Sequence, residues 1–146
     1  CTCTPKMIKQ YFRKLSQPIL DRIDIHIEIQ PVKFHELHDT SEVETSAAIR
    51  ARVNKVRQIQ LERFKGLGIY SNAELTPSMV EKYCAIDRAT SNLLKHAFEK
   101  LGLSARAHNR ILKIARTIAD MDNSESIKSR HVAEAIQYRC FDRLKY

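Results

Sequence analysis

Two arginines occupy positions where an arginine is an unusual choice. The stretch Ser104-Ala105-Arg106-Ala107-His108-Asn109-Arg110 begins with a good helix N-cap and continues with Arg106, His108 and Arg110, with no acid among them. The positive end of a helix dipole disfavours cations by roughly a few tenths of a kcal/mol each at exposed sites. Free N–H groups at a helix start also bind phosphate, and an arginine in that turn adds a bidentate clamp on the same anion. The segment therefore reads as an oxyanion or phosphate site centred on Arg106, with Arg110 one turn on. The alternative is that Arg106 points into solvent or pairs with an acid from another helix.

Arg22 is the second case. It lies between Asp21 and Asp24, at the start of the run Ile23-Asp24-Ile25-His26-Ile27-Glu28-Ile29. One reading is a local salt bridge, worth about 0–1 kcal/mol if exposed. The other is an arginine held at the rim of a sheet and offered to a phosphate across an interface.

A third candidate is a basic helix. Residues 45–66 carry Arg50, Arg52, Lys55, Arg57, Arg63 and Lys65 against Glu62 alone. That is either a phosphate-tracking face for nucleic acid, with Arg50, Arg52, Lys55 and Arg57 as its contacts, or a solvated helix surface. Cys1 and Cys3 form a CxC pair, two ligands at most of the four that a zinc site needs, so no metal site is expected within these residues. The sequence has no GxxxxGK[ST] phosphate loop, no apolar run ending in paired acids, and no nucleophile–base or two-carboxylate arrangement.

Composition frames these candidates. The 146 residues carry 25 Lys+Arg against 17 Asp+Glu, a net +8 that suits an anionic partner. Gly (3) and Pro (4) are scarce, which favours helices over a turn-rich all-β fold. No apolar run approaches the length of a membrane span, and no secretory leader is visible, so a cytoplasmic location and no membrane partner are expected. The first residue is a cysteine, and the expectation is a piece of a longer protein.

The elements that must hold the candidates follow from periodicity. Residues 5–15 predict a short helix, with Pro5 in its first turn and Met7, Ile8, Tyr11, Phe12 and Leu15 as its stripe. Residues 23–29 alternate strictly and predict a strand with its four isoleucines on one face. A lone strand needs sheet neighbours, so the sequence is expected to cut through a domain. Residues 30–44 read as a linker with a capping box at Ser41 and Glu44. Helices follow over 45–64, from Thr76-Pro77 to about Ala85, from the Asp87 cap to Leu101, over 105–121, and over 130–145 behind a Ser129 cap. Gly102 is placed to end the third of these. The fold class is mainly α: a bundle of four or five helices preceded by a helix and a strand.

The order YFRKLSQPILDRIDIHIEI, ETSAAIRARVNKVRQIQLERF, SNAEL, LSARAHNRILKIARTIADM and HVAEAIQYR resembles the C-terminal part of the magnesium-chelatase-like AAA+ ATPases, in their competence-related (ComM, YifB-type) branch. The resemblance spans essentially the whole chain. It implies a bacterial, cytoplasmic ATPase that assembles as a homo-hexamer and uses ATP and Mg2+, acting on DNA in the competence branch and in metal insertion among chelatases. It places the end of the α/β core in residues 1–38 and a helical lid in 39–146. Arg22 matches the arginine-finger position, which acts on a neighbour's ATP. Arg106 matches the sensor-2 position, which reaches the γ-phosphate of its own subunit's ATP, and Arg110 is grouped with it. Cys1 and Cys3 match the end of a cysteine cluster. Gln17 stands where the family has glycine. With no phosphate loop in these residues, the segment alone is expected to be inactive and to bind no cofactor. The competing expectation is a self-contained basic helical module that binds nucleic acid.

Overall fold

The computed structural model describes residues 2–12, 14, 19, 22–34 and 43–139. Among the described residues its helices are α1 (Pro5–Phe12), α2 (Ser46–Arg63), α3 (Pro77–Tyr83), α4 (Arg88–Leu101), α5 (Ala105–Met121) and α6 (Ser129–Gln137), with a 3-10 turn at Asn72–Glu74. The mainly helical architecture is the one the periodicity predicts.

Local chemistry sets most of the boundaries. Thr45 caps α2 by accepting from the Ala48 N–H at 3.2 Å. Ser41, the residue expected to cap it, lies outside the described residues, and Glu44 instead holds Arg52. Asp87 caps α4 through the Thr90 N–H at 2.7 Å, and Ser104 caps α5 through the Ala107 N–H at 3.2 Å. Gly102 closes α4 at φ 63°, where its own N–H and that of Leu103 both return to the Phe98 carbonyl.

The start of α6 differs from the sequence expectation. Lys128, not Ser129, is the capping residue, and its N–H donates to Nδ1 of His131 at 3.0 Å. Ser129 Oγ is engaged instead with Thr90 Oγ1 on α4 at 2.8 Å. The helix ends at Gln137, and the expected continuation beyond Arg139 lies outside the described residues.

α5 is the central element. It packs against α6, α2, α3 and the 3-10 turn, while α4 packs on α6. Its apolar stripe of Ala107, Ile111, Leu112, Ala115, Ile118 and Ala119 is buried against Phe64, Val80, Leu94, Val132 and Ile136. At about 25 cal/mol per Å² of apolar surface, such a stripe holds the bundle together far more than helix propensity does. Phe64 and Tyr83 meet edge to face, with ring centroids 5.3 Å apart.

Two expectations from periodicity change in the structure. The apolar stripe of α2 is buried only in its second half: Val56 and Phe64 are in the core, whereas Ile49 and Val53 are exposed. The buried residues of α2 are Val56 and Gln60, next to Arg63, which bonds to Asp120 on α5. Residues 23–29 form no ladder. They make one isolated parallel bridge, His26 to Arg139. Ile23, Ile25, Ile27 and Ile29 are exposed, as are Asp24 and Glu28, and His26 alone of the run is buried, at 4% exposed. What lies against this run is the polar end of α6 rather than a sheet, so the residue that turns inward is the one beside Tyr138 and Arg139.

Candidate nucleotide-phosphate site

The Ser104 cap and the Gly102 turn fix where α5 begins, and so where Arg106 stands. Arg106 lies in the first turn, which contains no acid. Its side chain is exposed and forms no ion pair among the described residues. An exposed cation thus stands in the first turn of a helix, the turn whose N–H groups can bind an anion. His108, half-buried beside it, has Nδ1 3.1 Å from Asn109 Oδ1.

Arg110 is placed differently. Its Nη1 lies 2.6 Å from Oδ1 of Asp24, an ion pair by distance without hydrogen-bond alignment. It ties α5 to the segment that carries Arg22. Two further contacts hold that segment: the His26 N–H donates to the Tyr138 carbonyl at 2.7 Å, and Arg139 donates through Nη1 to the Ile23 carbonyl. Arg139 is fully buried. Arg22 itself is exposed at the start of this pinned segment, its N–H donating to the Ile19 carbonyl at 2.9 Å. The sequence marked Arg22, Arg106 and Arg110, but not the residues that connect them. Asp24 was legible only as a charge on an alternating run, and Arg139 only as a basic residue near the chain end.

The basic helix is less uniform than its composition. Arg52 makes a two-pronged contact with Glu44, at 2.7 and 3.2 Å. Arg57 Nη1 lies 3.5 Å from Gln60 Oε1. Arg50 and Lys55 are exposed with no ion pair among the described residues. Arg63 is half-buried and belongs to the interior.

That interior is a polar network the periodicity did not reveal. Asp120, 2% exposed near the end of α5, accepts from Arg63 through both carboxylate oxygens, from Asn72 Nδ2 at 2.9 Å and from Arg116 Nε at 3.1 Å. Arg116 also donates to the carbonyls of Ser124 and Glu125 at 2.5 and 2.8 Å. Burial alone would push the Asp120 carboxyl up, but the bonds from Arg63 and Asn72 and the charges of Arg63 and Arg116 hold it below its ordinary value. Burial pushes the Arg116 guanidinium down, against the pull of Asp120. The available signal was the spacing Arg116-x-x-x-Asp120 within an apolar stripe. The network locks α2, the 3-10 turn, α5 and the 122–128 turn into one body, so the arginine end of α5 has a fixed base.

No helix among the described residues is long and apolar enough to cross a membrane. No group of three or more His, Cys, Asp or Glu placed to hold a metal occurs among them. Cys3 is exposed and Cys84 is buried.

Comparison with known proteins fits this architecture. The family described as magnesium chelatase, subunit ChlI C-terminal, matches residues 43–139, and the magnesium chelatase subunit ChlI family matches residues 1–37. Competence protein ComM of Haemophilus influenzae is 41% identical over 142 residues, covering 97% of this chain and 27% of its own length. The YifB proteins of Salmonella typhimurium and Escherichia coli are 39% and 38% identical over 144 residues, again 97% of this chain and 28% of theirs. The chain thus spans about a quarter of the length of these curated relatives. With a helical bundle of the C-terminal lid type and whole-chain similarity to these proteins, the chain belongs to the magnesium-chelatase-like family and is of ComM type.

Proposed function

We propose that residues 39–146 are the lid of a cytoplasmic AAA+ ATPase motor and residues 1–38 the end of its α/β core. In this reading the motor is a homo-hexamer that couples ATP hydrolysis to remodelling of DNA, or of a chelatase-type substrate. The observation that carries it is Arg106: an exposed guanidinium without an ion pair among the described residues, in the acid-free first turn of a 17-residue helix. That group fits a terminal phosphate in charge, exposure and placement.

Phosphoryl transfer is catalysed mainly by positioning and by stabilisation of charge. Arg106 would contact the γ-phosphate of its own subunit's ATP, so lid orientation depends on whether that phosphate is present. Arg22, held at the start of the pinned segment, would place positive charge against the ATP of the neighbouring subunit. Mg2+ and the phosphate loop would be supplied by parts of the protein other than these residues, and the segment alone would not turn over ATP.

The test is an ATPase assay of the full-length protein. Arg22→Ala is expected to lower kcat by roughly 10³-fold, the lower end of what an arginine finger supplies in phosphate-loop enzymes, with nucleotide binding retained. Arg106→Ala is expected to weaken both binding and turnover. Parental rates in both variants would overturn the reading.

Arg50 and Lys55 support a DNA contact on α2, because both are exposed and neither forms an ion pair among the described residues. The same face would serve a self-contained nucleic-acid-binding module. Each phosphate neutralised should contribute about −0.9 to the slope of log affinity against log salt. Arg50→Glu with Lys55→Glu should flatten that slope, and salt-independent binding would remove DNA from the proposal.

A further inference from the structure

Three contacts join the Arg22 segment to the lid helices: Asp24 to Arg110 on α5, the Ile23 carbonyl to Arg139 after α6, and the His26 N–H to the Tyr138 carbonyl. They fall at residues 23, 24 and 26, immediately after Arg22, and two of them use arginines. Arg110 lies four residues, about one helical turn, beyond Arg106 on the same helix. The α5 face that presents Arg106 is thus mechanically continuous with the segment that presents Arg22.

We propose that Asp24, Arg110 and Arg139 form a latch that couples lid orientation to the position of Arg22, making Arg110 and Arg139 positioning residues rather than nucleotide contacts. This rests on the reading of Arg22 and Arg106 as phosphate-directed groups. Movement of α5 as Arg106 gains or loses its phosphate carries Asp24 with it through Arg110. Arg139 keeps the backbone at Ile23 in register, so the displacement is passed to Arg22 instead of being absorbed by the chain. One subunit's nucleotide state then sets whether its arginine is in place for the next subunit's reaction.

The pair suits a moving joint. The Asp24 side chain is 59% exposed, so water can solvate it while the contact is broken, whereas Arg110, 26% exposed, keeps its Nη1 buried. Burial of Arg139 supplies the opposite property, a hinge point that stays fixed.

The experiment uses full-length protein and measures steady-state ATP hydrolysis and nucleotide affinity in four variants: Arg22→Ala, Asp24→Arg, Arg110→Asp, and the double exchange Asp24→Arg/Arg110→Asp. The latch requires each latch single variant to lose at least tenfold in kcat, with nucleotide KM within threefold of parental, and the double exchange to recover most of the loss. A nucleotide contact by Arg110 would instead raise KM and would not be rescued by the exchange, which overturns the latch. Parental kcat in both latch single variants overturns it as well. If Arg22→Ala itself turns over at the parental rate, the underlying reading falls; if Arg22→Ala is dead while Asp24→Arg and Arg110→Asp are fully active, only the latch falls. Because the exchange reads recovery rather than loss, an unfolded single variant does not decide the result.

Discussion

Arg63 on α2 donates to Asp120 on α5 across 57 positions of sequence, with one Nη1 to Oδ2 distance of 2.8 Å. The pair closes the base of the bundle, and Arg116 joins it from the same helix as Asp120. Removing one partner of a buried charged cluster leaves the others uncompensated, which typically costs about 3–5 kcal/mol. Asp120→Ala is therefore expected to abolish most of the stability of this domain, measured by urea unfolding, while Asp120→Asn retains part of it through the Asn72 and Thr117 neighbourhood. A loss below 1 kcal/mol, on the order of an exposed pair, would show that the network is not structural.

Acid should unfold the domain through Asp120 and Asp122. Both carboxyls lie below their ordinary value of 3.8 in the folded state. For Asp122 the leading cause is the bond from His131, whose Nδ1 accepts from Lys128 N–H and so leaves its proton on Nε2, 3.1 Å from Asp122 Oδ2. A carboxyl with a depressed folded pKa binds more protons when unfolded. Its stabilising contribution is complete above the ordinary value and is lost as pH falls through the folded value. The melting temperature should thus hold near neutrality and fall below about pH 4. Asp122→Asn should make that fall shallower, and an unchanged acid limb would contradict the assignment.

Gly102 provides a backbone test. At φ 63° a side chain meets the steric penalty of left-handed geometry, roughly 1–2 kcal/mol. Gly102→Ala is expected to destabilise by that amount in denaturant titration, and Gly102→Asn by less. Since this turn sets the entry of α5, nucleotide affinity of the full-length protein should weaken with it. Equal stability of all three proteins would remove the turn from the account.

Cys84 should be chemically silent. Burial is the chief cause that pushes its thiol up to about 11, against the pull of Arg116 and Arg63. A thiol without thiolate is a poor nucleophile. Peptide mapping after alkylation at pH 8 should find Cys3 labelled and Cys84 unlabelled until denaturant is added. Labelling of native Cys84 at the rate of Cys3 would show that α3 opens readily.

α4 and α5 were legible because each carried its own punctuation. Asp87, Ser104 and Gly102 act through bonds to residues three or four away, so local sequence contains both partners. Residues 23–29 show the converse: alternation predicts two faces but not what lies against them, and here the neighbour is the polar end of α6. Ile49 and Val53 show the same limit, because helical period identifies a stripe without saying how far its partner extends. Of the site, Arg106 was visible as a cation where an acid is usual, whereas the ion pair between Asp24 and Arg110 joins residues that only the fold brings together. The family models match residues 1–37 and 43–139.

α5 has one end fixed by Asp120 and the other bearing Arg106. At about 1.5 Å per residue its 17 residues form a rod of roughly 25 Å. A tilt of about 10° around the anchored end therefore sweeps the opposite tip through roughly 4 Å, more than the length of a hydrogen bond. Under the proposed function α5 would serve as a lever arm with its fulcrum in the core, so that a slight repacking near Asp120 is magnified at the Arg106 tip and substitutions far from any phosphate alter the rate of the cycle.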